Sequence, residues 1–261
     1  MNLDLSGKNA LVGGSSRGIG KAIAIELSQL GANITLTARN EEVLMEALKE
    51  LDTSRGQKHD FILADFSKPD ELKELVQHQL RETTYQILIN NTGGPKPGNI
   101  VDATPEQFEA AFRNHLVCNH ILATLLIPGM KSSGYGRIIS VISTSVKIPI
   151  KGLGVSNTIR AAVANWSKTM ANELAPFGIT VNNILPGATG TDRLQEVIKG
   201  TALRTGKHLE DVEREWMIEI PMQRFGDPSE IANAAAFLAS PAAAYITGIN
   251  LPVDGGRTGS L

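Results

Sequence analysis

The chain has 261 residues, 42% hydrophobic and 20% charged, with no low-complexity tract, so its whole length is expected to fold as one domain, 1–261, around a sizeable core. Its 25 Lys and Arg against 27 Asp and Glu, a net charge of −2, offer no basic footprint for nucleic acid or an anionic membrane surface. Cys118 is the only cysteine, which excludes an intrachain disulfide framework, and the longest apolar run, Ile121 to Ile127, is far below the ~20 residues of a membrane span; the cytoplasm is the expected location.

In chain order, Asn9 to Gly13 reads as a strand, Gly18 to Leu30 as a helix with Gly31 as its stop, Asn33 to Ala38 as a strand, Glu41 to Leu51 as a helix and Phe61 to Ala64 as a strand. Pro69 to Arg81 follows as helix, Gln86 to Asn90 as strand, Pro105 to Lys131 as one long helix capped by Thr104, and Gly136 to Ile142 as strand. Val155 to Ala175 is then helical, Ile179 to Leu185 extended, Pro228 to Ala239 helical and Gly248 to Val253 extended. Seven strands alternating with helices predict an α/β fold, a doubly wound, mostly parallel sheet covered on both faces. The stretch Thr191 to Gln223 interrupts the alternation with charged helical sequence such as Glu210-Asp211-Val212-Glu213-Arg214-Glu215. Lying after a strand's carboxyl end, it is either a substrate lid or a solvated excursion.

Gly14, Gly18 and Gly20 fall between the first strand and the first helix, where a tight turn lets backbone approach a pyrophosphate and the helix N-terminus faces the anion. Ser16, Arg17 and Ile19 complete that loop, and the pattern predicts dinucleotide binding. The second strand ends Thr37-Ala38-Arg39, with no carboxylate to repel a 2′-phosphate. Arg39 and Arg17 each supply a guanidinium, so NADP(H) is expected over NAD(H).

These motifs resemble those of the short-chain dehydrogenase/reductase family, in layout the 3-oxoacyl-[acyl-carrier-protein] reductases. Asp65-Phe66 stands at the family's adenine-contacting position, Asn90-Asn91-Thr92-Gly93 resembles its Asn-Asn-Ala-Gly, and Pro186-Gly187 with Thr191 resembles its nicotinamide-side segment. The resemblance implies a Rossmann-type fold, cofactor contacts from Asn91, Gly93, Pro186, Gly187 and Thr191, a small carbonyl or alcohol substrate, and a homo-oligomer, tetramer or dimer.

The family's usual catalytic set is Ser, Tyr and Lys with an Asn on the preceding helix. By the same resemblance Ser143 takes the serine position, Ser156 the tyrosine, Arg160 the lysine and His115 the asparagine. A serine hydroxyl is a far poorer acid than a phenol near a cation, and an arginine stays charged and passes no proton. Arg160 is therefore expected to bind ribose, Ser143 and Ser156 the substrate oxygen, and His115 or a water chain to manage the proton. Two readings stand: an NADP(H)-dependent oxidoreductase with an atypical site, or a catalytically silent NADP(H)-binding sensor or partner subunit. No metal site is expected, because His115, Cys118 and His120 lack a completing carboxylate.

Overall fold

In the computed structural model, which describes residues 1–260, the residues of the central strands sort by parity onto the two faces of one sheet. From β1 (Asn9–Gly13), Ala10 and Val12 enter one core and Leu11 the other; from β4 (Ile87–Asn90), Ile87 and Ile89 separate from Leu88 in the same way. The alternation follows from the strand's two-residue period, and burial on both faces is what an all-parallel sheet requires. β2 (Asn33–Ala38), β3 (Asp60–Leu63), β5 (Gly136–Val141), β6 (Ile179–Pro186) and β7 (Asn250–Val253) complete seven strands in the order β3-β2-β1-β4-β5-β6-β7, every pair parallel.

One face is covered by α1 (Gly18–Gln29), α2 (Glu41–Lys49) and α9 (Pro228–Ala239), through Ile23, Leu27, Leu44 and Ile231. The other is covered by α3 (Pro69–Gln79), α5 (Cys118–Ser133) and α6 (Gly154–Leu174), through Val76, Leu122, Leu126 and Leu174. Each fully buried Leu or Ile of these layers contributes about 1.5–3 kcal/mol relative to exposure. Local chemistry fixes several helix starts. The Asn40 side chain accepts from the Val43 N–H, and Asp227 forms a capping box with Glu230 ahead of Pro228.

The helix expected from Pro105 to Lys131 is not uniform. α4 (Pro105–Phe112), opened by a Thr104–Gln107 capping box, passes into a π-turn at Arg113–Val117 before α5 begins. With its amide turned so that the nitrogen faces them, Asn114 meets the Ala110 carbonyl (3.2 Å) and the Phe66 carbonyl (3.1 Å) at this turn. Between β6 and α9, α7 (Asp192–Thr205) and α8 (Leu209–Ile218) form a helical pair with its own small apolar cluster of Leu194, Ile198, Ala202 and Val212. Among the described residues no helix is long and apolar enough to cross a membrane.

Candidate active site

The chain runs from β1 to β2 on one side and later from β3 back to β4 on the other, so the loops after β1 and β4 part at the carboxyl edge. A crevice is forced open there, where doubly wound sheets bind ligands. It is a cleft of about 820 Å³, walled by residues following β1, β4, β5 and β6 and by α7 and α8.

At the β1 end, Ser15 holds the glycine loop to the sheet: its hydroxyl donates to the Val12 carbonyl (2.8 Å) and accepts the Thr37 N–H (2.8 Å). The Asn91 amide donates to the Gly13 and Gly14 carbonyls, both at 3.2 Å. Gly14 turns through φ +54°, and a Cβ on Gly20 would stand 2.3 Å from the Gly14 carbonyl oxygen, so α1 seats directly on the loop. Gly14, Arg17, Gly18 and Ile19 line the cleft; Ser16 and Gly20 belong to the loop but not to its wall. Arg39 borders the same end, and Arg17 faces Asp192 of α7 at 3.4 Å, an exposed pair that contributes little.

Asp65 and Phe66 do not line the cleft. Burial pushes the Asp65 carboxyl up, but hydrogen bonds from Ser67 and the charges of Arg39 and Lys68 outweigh it and hold the group below its usual range. The Phe66 ring packs against the core beneath α5, and its carbonyl accepts from Cys118 Sγ (3.1 Å). The pair that the resemblance places at the adenine thus lies beside the cleft and not in its wall.

At the other end Asn91, Gly93, Pro186, Gly187 and Thr191 line the cleft together with Ser143, Ser156 and Arg160. Ser143 Oγ accepts the Ser145 N–H (3.0 Å), which occupies a lone pair and leaves the hydroxyl proton free to donate. Ser156 and Arg160 share a face of α6 one turn apart. Arg160 is 9% exposed; Nη1 donates to the Val141 carbonyl (3.0 Å) and Nη2 to the Thr92 carbonyl (3.4 Å). Burial, then the charge of Arg193, lowers it to about 10, so it remains a cation at neutral pH.

His115 departs from expectation. It is 2% exposed, does not line the cleft, and meets the site only through Nδ1, hydrogen-bonded to the Thr92 hydroxyl. Burial first and the Arg160 charge second push its pKa down to about 2, so the ring is neutral at working pH and has no imidazolium proton to give. None of the three tyrosines lines the cleft; Tyr85 and Tyr135 are spent on Thr35 and on the Ala239 carbonyl, and Tyr245 is fully exposed. Residues the motifs did not single out also form the walls, among them Arg193, Glu196 and Trp216. A lone tryptophan within the charged Thr191 to Gln223 stretch was the available signal for the last of these.

Comparison with known proteins agrees with this fold. The family model described as enoyl-(acyl carrier protein) reductase matches residues 14–258. The chain is 34% identical to a 3-oxoacyl-[acyl-carrier-protein] reductase of Vibrio cholerae over 97% of this chain and 98% of that one. It is 32% identical to the 7α-hydroxysteroid dehydrogenase of Escherichia coli over 100% and 98%. Among solved structures, the L-sorbose reductase of Gluconobacter frateurii, complexed with NADPH and L-sorbose, superposes with a TM-score of 0.92 at 32% identity, covering 100% of both chains. The chain belongs to the short-chain dehydrogenase/reductase family of oxidoreductases.

Proposed function

We propose that this chain is an NADP(H)-dependent oxidoreductase of a carbonyl or alcohol substrate whose proton step runs without the family's usual Tyr and Lys. The observation that carries the reading is one cleft holding the glycine loop and Arg39 at one end and Ser143, Ser156 and Arg160 at the other. The dinucleotide suits these residues: the seat of Gly20 on Gly14 leaves backbone, not side chain, facing the pyrophosphate position, and Arg17 and Arg39 supply cations for a 2′-phosphate. The NADPH of the sorbose reductase complex supports the same choice.

When bound, NADP(H) supplies or accepts the hydride. The chain's own part is to orient the substrate and stabilise its oxygen. Ser143, its lone pair engaged by Ser145, presents a proton to the carbonyl oxygen, and Ser156 offers a second hydroxyl. Arg160 keeps positive potential beside the oxygen as it gains charge, and its N–H groups not spent on Val141 and Thr92 are available to ribose hydroxyls. The proton comes from solvent through water held by the two serines, the hydroxide left behind passing back to bulk solvent, since neither Arg160 nor neutral His115 releases one at neutral pH. His115 acts at a distance, fixing Thr92 and through it the loop after β4. The helical pair α7–α8 serves as the lid: Arg193 Nη2 donates to the Pro95 carbonyl (2.6 Å) across the cleft mouth.

The test is a fluorescence titration with NADPH and NADH, followed by NADPH oxidation against aldehydes, ketones and oxo acids. Arg39→Asp is expected to weaken NADPH at least tenfold more than NADH; equal weakening refutes the cofactor preference. Tight binding with no turnover across the whole panel refutes the enzyme and leaves a silent NADP(H)-binding protein.

A further inference from the structure

Arg160 is a cation that the fold buries without a carboxylate. It is 9% exposed, its recorded partners are two backbone carbonyls, and no acid forms an ion pair with it among the described residues. The nearest charge is another cation, Arg193 of α7. Both guanidinium groups close on Gly94: from where a Cβ would stand at that glycine, Arg193 Nη2 lies 3.5 Å away and Arg160 Nη2 3.9 Å. Arg193 is partly neutralised by Glu196 (3.1 Å) on the same helix and gives one Nη2 proton to the Pro95 carbonyl (2.6 Å), leaving its other Nη2 proton free, whereas Arg160 has no acidic partner. Two like charges brought together in a cleft, one of them desolvated, are a standing cost that an anion between them removes.

We infer that the substrate carries a carboxylate beside its carbonyl, held between Arg160 and Arg193 at Gly94. This deepens the reading of the cleft as a reductase site and rests on it. Size and spacing define the class. Gly94 contributes no side chain, so the notch admits a planar carboxylate, and guanidinium groups match its two oxygens. Ser156 lies one helical turn from Arg160 and both side chains line the same cleft, so the carbonyl and the carboxylate of one short molecule can reach the two of them together. The substrate class is therefore the short 2-oxo or 3-oxo acid, or the matching hydroxy acid. Because Arg193 belongs to the lid and Arg160 to the sheet side, the same anion ties α7 down over the cleft.

The test uses malonate as the probe and dimethyl malonate as its neutral match, titrated calorimetrically into the NADP⁺-loaded protein, with NADPH oxidation by 3-oxobutanoate and by its methyl ester in parallel. Malonate is expected to bind and the diester not. Arg193→Gln should weaken malonate at least tenfold and by far more than it weakens NADP⁺, and Arg193→Lys should keep part of the binding. The acid should be reduced with a kcat/KM at least tenfold above that of its ester. Equal binding of malonate and diester, or malonate binding indifferent to Arg193→Gln, overturns the inference while the reductase reading stands. Displacement of NADP⁺ by malonate also overturns it, because the anion position then belongs to the dinucleotide. If NADPH does not bind but malonate binding still depends on Arg193, the anion position is supported and the reductase reading fails.

Discussion

Acid lability that centres on His115 follows from its burial. The unfolded chain protonates this imidazole near pH 6.5, whereas in the folded protein its pKa falls to about 2. Between those values the unfolded state binds the extra proton, so stability rises with pH and is lost as pH falls below 6.5. Each pH unit in that window is worth about 1.4 kcal/mol, so His115 alone removes roughly 2 kcal/mol between pH 6.5 and 5. For a chain of this length that corresponds to a drop of roughly 4–8 °C in Tm. The assay is thermal unfolding of the wild type and of His115→Gln over pH 5 to 7.5. Glutamine keeps a hydrogen-bonding group toward Thr92 but does not titrate, and the remaining titratable groups are common to both proteins. The two Tm curves should converge toward low pH by that amount; parallel curves would refute the claim that the ring is buried neutral.

Three further outcomes are expected. Gly20→Ala drives a Cβ to 2.3 Å from the Gly14 carbonyl and 2.6 Å from the Asn91 amide, so NADPH binding should fall by at least tenfold; an unchanged titration would refute the assignment of this loop to the dinucleotide. Ser143→Ala removes the oriented donor and should lower kcat by about 10²-fold with NADPH affinity unchanged, as for loss of one oxyanion donor. Combining Ser156→Tyr with Arg160→Lys should raise the pH-dependent rate of carbonyl reduction on neutral ketones, measured by NADPH oxidation, if the acid alone is what the cleft lacks. No gain on any neutral ketone would mean that the pocket itself is shaped for a different substrate.

Much of the fold was legible because the strongest signals are local. The run Asn9 to Gly13 and the run Asn33 to Ala38 are strands with the bounds their patterns indicated, since β-branched and apolar residues buried on both faces admit little else. Thr104-Pro105 starts a helix where its cap places it, and the helix from Pro228 to Ala239 has the bounds its pattern indicated. The π-turn at Arg113–Val117 was not legible: one neighbour of its Asn114 amide is the Phe66 carbonyl, 48 residues earlier in the chain and adjacent only after folding. The glycine loop and Arg39 were readable from their places after strands' carboxyl ends, and Ser143, Ser156 and Arg160 from the family resemblance; all of them line the cleft.

The sequence by itself determined the α/β alternation, the glycine loop and the absence of a carboxylate after β2. These are facts of identity and spacing along the chain. Tertiary structure alone decided that His115 is sealed away as a neutral ring, that Asp65 and Phe66 leave the cleft wall, and that Arg160 and Arg193 meet at Gly94. The physical reason is that burial and charge proximity are properties of neighbours distant in sequence. They set protonation and ligand charge only once the sheet has brought those neighbours to one edge.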